Sequence, residues 1–144
     1  MKVNEMMTQG VECIGPGATL QEAAQRMKAL DVGSLPVCDN GRLVGMLTDR
    51  DITVRCVSDG HDPSRDHARD AMTPEISYCF EDQDVTEAAR IMREKQIRRL
   101  PVLNREKRLV GIVSLGDLAV DGGDERLAGR TLEAVSEPSE PRQN

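Results

Sequence analysis

The sequence predicts an α/β (α+β) fold of two tandem copies of one strand–helix–strand–strand–helix unit, packed about a pseudo-two-fold axis. Three observations carry this: an internal repeat, a matched set of helix and turn signals in each copy, and a copy length too short to stand alone. Met7-Thr8 returns as Met72-Thr73, and Ala18–Met27 returns as Gln83–Met92, at an offset of 65 residues. At the same offset Leu35-Pro36-Val37 meets Leu100-Pro101-Val102. One residue then enters the second turn, and Leu43–Asp51 meets Leu109–Asp117 at an offset of 66. An insertion confined to a turn is the kind a sheet tolerates.

Each element has a local reason. Leu20, Ala23, Ala24 and Met27 recur at helical spacing and predict an amphipathic helix. Thr19 followed by Glu22 is a capping box at its start, and Asp84 with Glu87 is expected to do the same in the second copy. Leu35–Cys38 and Leu43–Leu47 flank Asn40-Gly41, a hairpin signal. The second strand ends at Thr48, and the helix after it stops near Asp59-Gly60. Each copy holds about 50 to 60 residues and buries too little surface to be robust alone, so the two copies should pack together. The expected division is residues 1–60 for the first copy, 61–70 for a polar linker, 71–121 for the second copy, and 122–144 for a short helix and a disordered tail. The helix is expected from Asp124 to Val135, with Leu127, Leu132 and Val135 as a thin apolar stripe.

Composition narrows the function. The net charge of −6 argues against nucleic acid, which needs a basic face. No run approaches the roughly 20 apolar residues of a membrane helix. Met1-Lys2-Val3-Asn4-Glu5 carries an acid where a secretory signal would be apolar, so a cytoplasmic location is expected. Cys13, Cys38, Cys56 and Cys79 have no zinc-finger spacing and read as buried thiols, although Cys13 and Cys38 fall in strands that could be neighbours. His61 and His67 lie in the linker with Asp62 and Asp66 and read as solvated loop residues rather than metal ligands. No nucleophile–base pair and no glycine-rich phosphate loop is present, so no enzyme is expected.

The strand-to-helix junctions carry the chemistry. They read Gly45-Met46-Leu47-Thr48-Asp49-Arg50-Asp51 and Gly111-Ile112-Val113-Ser114-Leu115-Gly116-Asp117. A hydroxyl followed three residues later by a carboxylate is what a helix start wants for capping alone. The same geometry suits a phosphate or a ribose. Both readings stay open on local grounds, although capping alone does not explain why the whole pattern occurs twice.

The doubled Met-Thr opening, the Leu-Pro-Val strand and the Gly-x-x-[Thr/Ser]-x-x-Asp junction resemble the CBS domain, and two in tandem resemble a Bateman module. The likeness covers about residues 5 to 120 and is strongest to short stand-alone bacterial CBS-pair proteins. It implies an adenine-nucleotide-binding regulatory or stress-sensing protein with its ligand in the cleft between the two copies. Asp51 and Asp117 would hold ribose, and Thr48 and Ser114 would sit near ribose or phosphate. Val11, Ile14, Leu35 and Pro36 would line one base pocket; Ile76, Tyr78, Leu100 and Pro101 would line the other. Arg98 and Arg99, where the first copy has Gly33 and Ser34, and Arg50, where the second has Gly116, would reach phosphates. AMP, ADP, ATP and NAD are the implied ligands, with S-adenosylmethionine disfavoured by the basic pair. A homodimer and a regulated protein partner are also implied. The alternatives are a ligand-free dimeric scaffold and a redox-responsive module acting through Cys13 and Cys38.

Overall fold

The computed structural model describes residues 1–74, 76–120 and 125–136. In chain order the elements are a 3-10 turn Val3–Glu5, β1 (Thr8–Gln9), α1 (Leu20–Leu30), β2 (Ser34–Asp39), β3 (Arg42–Thr48), α2 (Asp49–Ile52) continued by a π turn Thr53–Val57, α3 (Ala68–Ala71), β4 (Cys79–Phe80), α4 (Val85–Lys95), β5 (Arg99–Leu103), β6 (Leu109–Ser114), α5 (Leu115–Val120) and α6 (Glu125–Ser136). The expected tail at 137–144 and the Leu127 side chain lie outside the described residues. No described helix is long and apolar enough to cross a membrane.

The chain forms two compact units. One holds residues 12–76 and 107–109; the other holds 1–11, 77–106 and 110–144. In the first unit β2 and β3 form an antiparallel hairpin through Asn40 and Gly41, whose positive φ values of 52° and 80° are what a tight two-residue turn requires. Ile14 bridges Val37 in parallel and Thr73 bridges Met46 in antiparallel fashion. In the second unit the strand order is β1-β6-β5-β4, with Thr8 opposite Ile112 and Cys79 opposite Val102. The two arrangements are the same once the repeat offset is applied. The Met-Thr opening of each copy is therefore paired with the strand of the other: Thr8 on β6, Thr73 on β3.

The helices begin and end as their residues dictate. The Thr19 hydroxyl accepts from the Glu22 N–H at 3.1 Å. Asp84 caps α4 as expected, but its carboxylate accepts from Thr86 rather than Glu87, from the N–H at 3.0 Å and from the hydroxyl at 2.9 Å. These bonds hold the Asp84 carboxyl below the usual aspartate range. α1 and α4 both stop on a left-handed residue, Asp31 and Gln96. The polar stretch after Gly60 is tied to the first unit through its backbone: Leu20 N–H donates to Asp66, Gln21 N–H to Pro63, and Ala68 N–H to Ala18. Ala68 and Ala71 are buried there.

Each unit has its own aliphatic core. Leu20, Ala23, Met27, Leu35, Val37 and Leu47 anchor one; Val85, Ala88, Met92, Leu100, Val102 and Val113 anchor the other. The copies differ at one helix face. Ala89 is fully buried, whereas Ala24, its counterpart on α1, is exposed. The difference follows from α6, which packs against α4 and α5 and sends Val135 onto the second core. The stripe expected to be thin thus docks a helix, and Thr131 is completely buried beneath it.

Candidate functional site

The two strand-to-helix junctions have the same geometry. Ser114 N–H donates to Asp117 Oδ2 at 2.8 Å, and Asp117 N–H donates to the Ser114 hydroxyl at 3.1 Å. Thr48 and Asp51 repeat this at 2.9 and 3.0 Å. Both hydroxyl–carboxylate pairs therefore act as reciprocal caps. The caps use Oδ2 of each carboxylate and the acceptor side of each hydroxyl, so the other carboxylate oxygen and the hydroxyl proton are left for further bonding.

A backbone bond then fixes which residue sits beside each junction. Leu115 N–H donates to the Arg98 carbonyl at 2.8 Å, and Asp49 N–H donates to the Gly33 carbonyl at 3.0 Å. In the second unit this clamp brings Arg98, Arg99 and Ser114 to the wall of a cavity of about 640 Å³. That volume lies in the roughly 300–1,000 Å³ range of small-ligand pockets. The floor on the helix side is Leu115, Gly116 and Ala119, and the far wall is Gly129 and Leu132 of α6. In the first unit the place of Leu115 is taken by Asp49, whose carboxylate lies against Gly33. The two junctions thus differ in charge: Arg98 and Arg99 with Asp117 in one, Asp49 and Asp51 with Arg50 in the other. The junction of the second unit has the more positive balance and favours an anion more than that of the first.

The other expected residues are distributed as follows. Asp117 is bonded to Ser114, which lines the cavity, and Asp51 to Thr48. Arg50 is exposed, its N–H donating to Asp49 Oδ1 at 2.8 Å. Leu35 and Leu100 are 2% and 0% exposed and belong to the two cores. Pro36 and Pro101 are buried as well, and the Pro36 carbonyl accepts from Ile14 N–H at 3.0 Å. Ile14 lines a separate cavity of about 480 Å³ with Cys13 and Arg26. Val11 falls in the unit that does not contain Ile14, and Ile76 in the unit that does not contain Tyr78. Tyr78 is exposed and meets Phe80 edge-on at 5.6 Å, with Arg105 stacked 4.2 Å above the Phe80 ring. The residues missed in the sequence are the apolar ones: Leu115, Ala119, Gly129 and Leu132. The available signal was Leu132 on an otherwise unassigned helix.

Cys13 and Cys38 are neighbours, although Cys13 lies in irregular chain just before the isolated Ile14 bridge rather than in a strand; Cys38 is on β2. Cys38 is buried and Cys13 exposed. Burial, and then contact with the Cys13 sulfur, push the Cys38 thiol up to about 12. Cys79 is likewise pushed up to about 12 by burial. His61 pairs with Asp66 at 2.8 Å and His67 with Asp70 at 3.6 Å. Among the described residues, no three His, Cys, Asp or Glu side chains gather to hold a metal ion.

The repeat, the duplicated caps and the shared strand order agree with comparison to known proteins. A sequence model of the CBS domain matches residues 3–57 and again 68–120. The chain belongs to the CBS-domain family. The CBS domain-containing protein YhcV of Bacillus subtilis is 40% identical over 134 residues, 93% of this chain and 94% of YhcV. Hypoxic response protein 1 of Mycobacterium tuberculosis is 43% identical over 116 residues, 80% of each protein. A crystal structure of Hypoxic Response Protein I with two coordinated zinc ions matches with a TM-score of 0.76 at 41% identity, covering 83% of this CBS pair and 97% of that chain. The CBS-pair protein CBSX2 of Arabidopsis thaliana, crystallised with AMP, matches with a TM-score of 0.73 at 25% identity, covering 84% and 95%.

Proposed function

We propose that this CBS pair is a non-enzymatic regulatory protein that binds an adenine nucleotide at the second repeat. The observation that carries the reading is the convergence of Arg98, Arg99 and Ser114 on one cavity of nucleoside size in an otherwise acidic chain. The two guanidiniums take the phosphate, and the Ser114 hydroxyl donates to phosphate or ribose. The free oxygen of Asp117 accepts from a ribose hydroxyl. CBS pairs are often regulatory and nucleotide-binding, and CBSX2 with AMP is one instance. AMP, ADP, ATP and NAD all offer the required phosphate; S-adenosylmethionine does not. The protein acts as a cytoplasmic homodimer whose state is read by a partner protein.

Melting temperature against a panel of these ligands tests the reading. A ligand at a hundred times its Kd should stabilise the protein by about 2.7 kcal/mol. In Arg98→Ala/Arg99→Ala that gain should vanish. Thr19→Ala serves as the control: it should cost about 1 kcal/mol through loss of the α1 cap and leave the ligand response intact. If no nucleotide raises the melting point, the nucleotide reading fails and a ligand-free scaffold is what remains.

The contact between Cys13 and Cys38 favours a second reading, redox response. Cys13, as thiolate, would attack oxidised glutathione, releasing one glutathione thiolate and leaving a mixed disulfide. The Cys38 thiolate would then displace the second glutathione and close the protein disulfide. The raised Cys38 pKa makes this second step accelerate with pH up to about 12. Mass spectrometry after exposure to oxidised glutathione should find a loss of two hydrogens mapped to Cys13 and Cys38. Four free thiols under those conditions would end this reading.

A further inference from the structure

The helix that walls the cavity lies outside both CBS matches, which stop at residue 120, while α6 begins at Glu125. Three contacts fasten it beside the anion-binding arginines. Arg93 Nη1 approaches Thr131 Oγ1 at 3.5 Å, Gln96 Nε2 donates to the Ala134 carbonyl at 3.4 Å, and Arg98 Nη2 approaches Ser136 Oγ at 3.5 Å. The last contact matters most, because Arg98 is otherwise an exposed side chain with full rotamer freedom. A guanidinium has five N–H donors, so one held by Ser136 leaves the rest for an anion. On the same helix Leu132, 47% exposed, presents an apolar surface to the cavity. Gly129 lines it too, and a Cβ there would meet nothing within 4 Å. The wall is therefore apolar in its middle and tethered to the arginine at its end.

We infer that α6 is part of the ligand site: Leu132 and the open face at Gly129 take the apolar part of an organic phosphate, and Ser136 is a positioning residue for Arg98. The inference rests on the nucleotide reading for its ligand class. It adds that the residues deciding affinity lie partly beyond the CBS repeats. It also adds a direction of signalling. If α6 contributes to ligand affinity, the ligand must stabilise docked α6 by the same factor, since coupling between two binding events is reciprocal. Occupancy of the cavity is thereby reported at the C-terminal helix.

Hydrogen exchange of α6 amides in the full-length wild-type protein, with and without AMP, tests this without any substitution. Bound AMP should slow exchange across α6. Calorimetry on variants gives the second readout. Gly129→Trp fills the cavity and should weaken AMP more than about tenfold. Glu133→Ala, exposed on the same helix and outside the cavity lining, should bind as wild type. Ser136→Ala should weaken AMP about three- to tenfold, the worth of one ordinary hydrogen bond, and Ser136→Thr should restore it. Should Gly129→Trp fail to fold, the exchange experiment and Ser136→Ala still decide. If AMP binds the wild type but α6 exchange is unchanged and Ser136→Ala binds equally, the inference is overturned and the nucleotide reading survives. If AMP does not bind at all, inorganic pyrophosphate is the second probe. Slowed α6 exchange with pyrophosphate would retain the composite anion site and remove the nucleotide; no slowing would remove both.

Discussion

Ala89→Asp is expected to cost upwards of about 3 kcal/mol in urea unfolding, the penalty of a buried charge with no partner, while Ala24→Asp should stay within about 0.5 kcal/mol of wild type. The two alanines occupy the same position in the repeated helix. Their surroundings differ because α6 lies against α4, whereas among the described residues no helix packs on α1 in the same way. Ala89 is 0% exposed, and Ala24 is exposed beside a cavity of about 310 Å³ bordered by Met27, Lys28 and Ile52. A carboxylate at position 89 either drags water into the second core or displaces α6. Displacing α6 would also break the wall of the Arg98 cavity, so Ala89→Asp should lose ligand response together with stability. Equal costs at the two positions would mean that α6 does not cover α4 in solution, and that the far wall of the cavity is absent.

Much of this architecture could be read from residue order alone, and the reasons are local. The helix over Leu20–Leu30 follows from apolar spacing and from Thr19; the hairpin follows from Asn40-Gly41; the capped junctions follow from a hydroxyl three residues before a carboxylate. Arg98 and Arg99, which line the cavity, stand out in the sequence because the repeat supplies its own comparison, Gly33 and Ser34. What stayed hidden depends on contacts far apart in sequence. Nothing in Met7-Thr8 indicates that it pairs with β6 across about a hundred residues, rather than with the strand of its own copy. Leu35 and Leu100 have the composition of a base-pocket wall and of a core residue alike, and only burial separates the two. The role of α6 was obscured for the same reason: Leu132 and Val135 make a weak stripe until α4 and α5 are set beside them.

Gly45→Ala and Gly111→Ala should each destabilise the protein by about 1–3 kcal/mol, the range for overpacking a close-packed site, and their costs should be similar. The argument is steric. Neither glycine has a positive φ, so backbone conformation does not require it. What requires it is the strand passing over it. A Cβ at Gly111 would lie 2.7 Å from the Thr8 carbonyl oxygen and 2.8 Å from the Met7 sulfur. A Cβ at Gly45 would lie 2.9 Å from the Thr73 carbonyl oxygen and 2.7 Å from the Met72 sulfur. The methionine can swing aside, but the carbonyl belongs to a paired backbone and cannot. The Met46 N–H donates to that same Thr73 oxygen at 3.0 Å, and Thr73 N–H returns a bond to Met46 at 2.8 Å. Relieving the clash therefore means opening this pairing. The double variant Met72→Ala/Gly45→Ala separates the two sources: it should recover only the sulfur's share. Full recovery would place the whole clash in the side chain. No cost for either single variant would show that the Met-Thr segments do not run over these glycines, and the exchange of opening segments between the two repeats would fall with them.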